Sequence, residues 1–148
     1  MIQSDNIPVT GSVFVQVLDE FGNIKQELDQ HNLVVTTGKD YIASRIKDAT
    51  ATAMSHMAVG TSGTAAAAGD TTLGAEVGRV ALDSTTVSTN TVTYVATFPA
   101  GTGTGTLAEG GLFNAGAAGT MLCRTLFSST ITKGASDVVI VTWVLTIG

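Results

Sequence analysis

The side chains able to do chemistry are few, and each spacing that would signal a site fails at an identifiable point. The 148 residues include two histidines, His31 and His56, and one cysteine, Cys123. Gly103 to Ala108 matches the loose glycine pattern of a dinucleotide-binding loop and follows a strand-like run. That fingerprint works only when a helix N-terminus follows to hold the pyrophosphate. Gly110 and Gly111 come within two residues of it, so the segment reads as a glycine–threonine loop. Gly38-Lys39 lacks the upstream glycine of a phosphate-binding loop. His31 and His56, with Glu27 or Asp29 nearby, lack the compact spacing of metal ligands, and no metal or cofactor is expected. Hydrolysis by paired carboxylates needs a defined separation, which the positions of Glu76 and Glu109 do not establish. Cys123 sits inside the apolar run Met121–Phe127 and reads as a small buried hydrophobe. No catalytic residue is assigned, and a non-enzymatic protein is expected.

The surrounding composition points the same way. Charged residues make up 13% of the chain, against about a quarter in ordinary globular domains. Threonine, serine, alanine, glycine and valine dominate instead. The net charge is −5, and the basic residues are dispersed at Lys25, Lys39, Arg45, Lys47, Arg79, Arg124 and Lys133. Nucleic acid is therefore not an expected partner, because phosphate binding needs clustered cations. A lone cysteine gives no internal disulfide. The amino terminus lacks the basic start and apolar centre of a signal peptide. The longest apolar run, Val138–Ile147, is about half the length of a membrane-spanning helix. These features predict synthesis in the cytoplasm and no membrane partner.

The elements that must position these groups are mostly strands. Residues 1–11 read as a polar arm, with Ile2, Ile7 and Val9 as candidate anchors on a partner. Residues 12–148 read as one domain. Val13, Val15 and Val17 alternate along a first strand, Asp19–Asn23 turns the chain, and Ile24–Leu28 returns as a hairpin. Asp29–Asn32 reads as a break before Leu33–Val35. One helix is predicted over about residues 37–48, with Thr36 or Thr37 as N-cap and Asp40 in its first turn. Its apolar stripe is Tyr41, Ile42 and Ile46. Met54–Val59 reads as a strand and Gly60–Thr64 as a loop, and Leu73 and Val77 suggest a short helical turn. From Arg79 onward the pattern is β: Arg79–Ala81, Thr85–Ser88, Thr91–Phe98, Thr120–Ser128 and Asp137–Ile147. Seven or eight strands with turns every 8–12 residues predict a mainly β protein, an antiparallel β-sandwich or jelly roll with one short helix capping an end.

Several segments together resemble a recurrent order in virion proteins of tailed bacteriophages. They are Asn32–Val35 followed by Gly38–Ala43, Met57–Thr61, Thr71–Glu76 with Arg79, Tyr94–Pro99, Leu107–Asn114 and Met121–Arg124. The resemblance covers about Leu33 to Ile147. It is to small phage structural proteins: capsid cement (decoration) proteins, or tail-fibre and baseplate components. It implies a β-sandwich or jelly-roll fold, no enzymatic role, and action by position within an assembly. As a cement protein the chain would sit on the capsid surface of the virion. Its partners would be the major capsid protein and copies of itself. As a tail component it would serve structure or adhesion. Sugar-binding tail modules display stacked Trp or Tyr, and Trp143, Tyr41 and Tyr94 all fall in segments that read as buried, which favours cement.

Overall fold

A period of two sorts the side chains of a strand onto opposite faces, and the valine-rich runs use it to build one interior. The computed structural model describes residues 5–47 and 51–148. Among the described residues there are nine strands and one helix, namely β1 (Val9–Leu18), β2 (Ile24–Val34), α1 (Thr36–Lys47), β3 (His56–Gly60), β4 (Glu76–Ala81), β5 (Ser84–Ser88), β6 (Thr91–Phe98), β7 (Gly105–Phe113), β8 (Met121–Lys133) and β9 (Val138–Ile147). The architecture is mainly β with one short helix. All strand pairs are antiparallel, in the order β4-β3-β7-β8-β2-β1-β9-β6-β5. The two end strands, β4 and β5, are joined only by Leu82 and Asp83. Such a short link forces the sheet to curl until its ends approach, and β4 also packs against β6. The result is a half-barrel.

Its interior is laid down in cross-strand rows. Val13, Trp143 and Tyr94 face one another across β1, β9 and β6, as do Val15, Val141 and Ala96, and then Val17, Val139 and Phe98. All nine are buried, and each buried valine contributes roughly 1.5–3 kcal/mol relative to exposure. Leu107, Leu112, Leu122, Phe127 and Ile131 from β7 and β8 join the same cluster. Both arms of the curl therefore share one core.

β2 turns the corner between those arms. It runs beside β1 along most of its length but pairs with β8 only at Leu33–Arg124 and Val34–Cys123. Where the two strands diverge, glutamine side chains replace backbone rungs. Gln30 Nε2 donates to Thr125 Oγ1 (2.6 Å) and Leu126 O (2.7 Å), and Gln30 Oε1 accepts from Ser128 N (2.7 Å). Gln26 repeats the motif four residues earlier on the same face, donating to Thr130 O (2.9 Å) and accepting from Thr132 N (3.4 Å). This bridging explains why the expected break at Asp29–Asn32 is absent. The polar residues there belong to a continuous strand, in which β8 satisfies the Gln30 amide while the Asn32 amide is buried without a partner.

Other boundaries also move. β1 begins at Val9, so Val9–Gly11 belong to a strand rather than to the arm. β8 runs on to Lys133, and β3 begins at His56. Segment 70–75 forms no helical turn; β4 starts at Glu76 and Leu73 is buried. β9 buries only its inner face fully, its alternate residues being half-buried. α1 starts at Thr36, which places Asp40 beyond the first turn. Thr37 does not cap the helix, because its hydroxyl donates to Met121 O (3.1 Å). Tyr41 and Ile42 pack on the core, but Ile46 is 82% exposed. Asp48 lies outside the described residues.

Gly38 sets how closely α1 lies on β8. A Cβ at this position would collide with the Leu122 backbone carbonyl, which a side-chain rotation cannot relieve. Gly38→Ala is therefore expected to destabilise the fold by about 1–3 kcal/mol. Denaturant unfolding measures this, and an unchanged midpoint would mean the helix can lift at no cost.

Candidate interaction surface

Among the described residues, a cluster of buried charged groups lies inside the β3–β7–β8 arm of the sheet. Glu109 on β7 is 0% exposed and Arg124 on β8 is 2% exposed. Arg124 donates to Glu109 Oε2 from Nε (3.1 Å) and Nη2 (2.8 Å). Its remaining donors reach Asp70 Oδ2 (2.8 Å), Ala65 O (3.2 Å) and Thr64 O (2.9 Å). Glu109 also accepts from the backbone N–H groups of Gly74 (2.9 Å), Ala75 (2.7 Å) and Ser62 (3.3 Å). The guanidinium fork is filled on every side, and the pair pins the loop between β3 and β4 onto the sheet. Burial pushes the Glu109 carboxyl up, but the Gly74 and Ala75 N–H groups and Arg124 outweigh it and hold the carboxyl below its usual value. The Ala67 N–H and Arg124 likewise hold Asp70 low. The cluster is a strut, with its hydrogen-bonding capacity turned inward.

The other reactive groups are similarly engaged. Lys133 is buried, its Nζ donating to Pro99 O (2.9 Å) and Asp137 O (2.7 Å), and desolvation lowers its pKa against the opposing pull of Asp137. Asp137 in turn pairs with Lys25 at 2.7 Å. Arg79 forks onto Glu76 (3.0 and 2.6 Å), lies over the Phe113 ring at 3.8 Å, and holds the Ala115 and Ala118 carbonyls. Burial raises the Cys123 thiol to about 12, which keeps it protonated and inert. His31 and His56 stand on β2 and β3 with β8 and β7 between them, so the sheet does not bring them together. Trp143 and Tyr94 are inside and Tyr41 is half-buried.

Among the dispersed charges and hydroxyls of the outer surface stand a few isolated apolar residues. The arm residue Ile2 lies outside the described residues. Ile7 is 66% exposed, whereas Val9 pairs with Ile147 and packs against the core. Gly148 N donates to Pro8 O (2.8 Å) and fixes where the arm leaves the sheet. Ile7, Val9, Asn6, Pro8, Lys39 and Ile42 line a groove of about 450 Å³ between the arm and α1. At the opposite end of β1, Phe21 is 81% exposed on the β1–β2 turn. Asp19 organises that turn, accepting from Phe21 N (2.9 Å), Asn23 N (2.9 Å) and Asn23 Nδ2 (3.1 Å), with Gly22 in the left-handed region at φ 83°. Sequence reading located this turn but not the aromatic it presents. Its only signal was a lone Phe inside a five-residue polar turn.

Comparison with known proteins finds no matching family model, no matching curated protein and no matching solved structure.

The strut makes stability depend on acid in a defined direction. Because the folded carboxyls of Glu109 and Asp70 sit below their unfolded values, their stabilisation is complete above about pH 4–5 and drains away as pH falls through the folded values. Glu109→Gln is expected to cost about 3 kcal/mol by leaving Arg124 without its buried counter-charge. It should also flatten the loss of stability between about pH 5 and pH 3. Denaturant midpoints across that range for both proteins test this; parallel pH curves would refute it.

Proposed function

We propose that this chain is a non-enzymatic structural protein of a tailed-phage virion: a capsid cement (decoration) protein that binds the major capsid protein and stabilises the shell. The observation that carries this reading is the direction in which its chemistry points. Arg124, Glu109, Lys133 and Arg79 are spent on pinning loops to the sheet. What the protein offers outward is the arm groove at Ile7 and the Phe21 turn on a stiff body. A cement protein needs that division, with a rigid body and small anchors multiplied by copy number. The segments Thr71–Glu76, Leu107–Asn114 and Met121–Arg124, which carry the phage resemblance, are also those that converge on the Glu109–Arg124 strut.

The jelly-roll assignment belongs to the same proposal. In it, the β5-β6-β9-β1-β2 and β8-β7-β3-β4 portions of the curled sheet act as the two layers that enclose the shared core. The alternative, a tail-fibre or baseplate component, would draw on an aromatic platform for sugar. The burial of Trp143 and Tyr94 supports cement over that reading.

Quantitative mass spectrometry of purified virions is the deciding measurement. Copies near one per major capsid protein, or a simple fraction of it, are expected. A few per cent would move the chain to the tail, and absence would end the virion reading. Within the cement reading, Ile7→Asp should lower capsid occupancy while leaving the melting temperature of the isolated protein unchanged. Full occupancy by that variant would remove the arm from the interface.

A further inference from the structure

The two edges of the sheet are treated very differently. β4 is guarded: Glu76 and Arg79 form an ion pair at 2.6 Å, a bulge interrupts its register at Val59/Gly60, and Gly78 lies against the Gly103 backbone. Such charges and bulges keep an edge from recruiting another strand. β5 has none of them. Its sequence, Ser84-Thr85-Thr86-Val87-Ser88, contains no charge and no proline. Its register with β6 runs unbroken from Ser84–Val95 to Ser88–Thr91. All five residues are exposed, Val87 at 71%, and among the described residues no strand lies on its far side.

We propose that β5 is a self-association edge. Two copies pair antiparallel along Ser84–Ser88 about a twofold axis at Thr86, and the sheet continues from one copy into the other. The sequence of the edge is what selects a second copy as occupant. Antiparallel pairing about Thr86 sets Ser84 opposite Ser88, Thr85 opposite Val87 and Thr86 opposite itself. The β-branched Thr–Val and Thr–Thr pairs favour a ladder, whereas like charges directly opposite oppose it. The chain carries a net charge of −5, yet this register brings no two acids together. The nearest acid, Asp83, accepts from Thr97 Oγ1 (2.6 Å) and would face Thr89 of the second copy. Glu27 and Asp29 lie on β2, with β1, β9 and β6 between them and the edge. Twofold pairing also closes on itself, so an unguarded edge yields a dimer rather than a fibre. Five residues a side make a small contact compared with a standard interface, which sets the association at micromolar concentrations and above.

This inference does not rest on the virion reading: a chain absent from virions would still pair through β5. Sedimentation equilibrium of the full chain, from about 1 µM to 1 mM, should give a mass rising from one chain to two and stopping there. The double variant T85K/V87K, which sets like charges opposite each other across the axis, should weaken the dimer roughly tenfold or more. T85K/V87E, which sets opposite charges there, should restore association. Circular dichroism melts of the three proteins at concentrations low enough to keep all of them monomeric should coincide, since every altered side chain is exposed and association itself would raise the midpoint. A monomer at every concentration, growth beyond two chains, indifference to T85K/V87K, or failure of T85K/V87E to recover association would each overturn the proposal.

Discussion

Arg124 carries a full positive charge to a position only 2% exposed, and much of the molecule is arranged around that fact. A buried guanidinium is tolerated only when a counter-charge and hydrogen-bond acceptors replace its water. Glu109 supplies the charge from the neighbouring strand, and Asp70, Thr64 and Ala65 supply the rest from the β3–β4 loop. Because Glu109 also holds the N–H groups of Ser62, Gly74 and Ala75, the loop cannot leave without stranding a charge in the core. A stretch rich in alanine, glycine and threonine, with little apolar surface of its own, is thereby tied to the sheet.

The same economy recurs elsewhere. Gln26 and Gln30 span the gap where β2 and β8 diverge, giving backbone groups on β8 partners that no strand provides. Lys133 ties the Pro99 carbonyl to the turn before β9, and Arg79 ties the 114–119 turn to β4. A curled sheet leaves backbone groups unpaired at its corners and loops, and unpaired buried groups cost about 1–3 kcal/mol each. Gln26, Gln30, Arg79, Arg124 and Lys133 serve those places. Two exceptions stand at the helix end of the core, where the Asn32 amide and the Trp143 indole N–H are buried without partners.

This allocation shapes what the protein can offer a partner. The charged residues Glu109, Arg124, Lys133 and Asp137 are buried, and the rest of the surface mixes dispersed charges of both signs with threonine, serine and a few exposed apolar residues. Recognition by such a surface relies on shape, backbone edges and isolated anchors such as Ile7 and Phe21 rather than on charge. Rigidity then matters more than affinity at any one contact, since a fixed anchor loses little entropy when it docks. The Asp19-centred turn under Phe21 and the Pro8–Gly148 contact under the arm both provide it.

Much of the fold was legible in the sequence because strand alternation is a local signal. Val13, Val15 and Val17 declared their shared face, Thr91–Phe98 gave its strand end to end, and residues 36–47 revealed a helix within one position. The buried state of Cys123 and Trp143 followed from the apolar runs around them. What local pattern could not supply were decisions made by residues far apart in the chain. Gln30 looked like part of a break because its partners lie about a hundred residues away on β8. Ile46 looked like core because helical spacing shows a stripe but not how far the sheet beneath it extends. Glu109 and Arg124 looked like ordinary charges until β7 and β8 paired and the loop closed over them. The sequence by itself determined where most strands lie and which of their faces is apolar, because a two-residue period is written along the chain. Gly105–Ala108, which reads as a loop, instead begins β7. Only the tertiary structure decided how the sheet curls, which edge stays open and which charges become a strut, because each depends on strands that meet across long stretches of sequence.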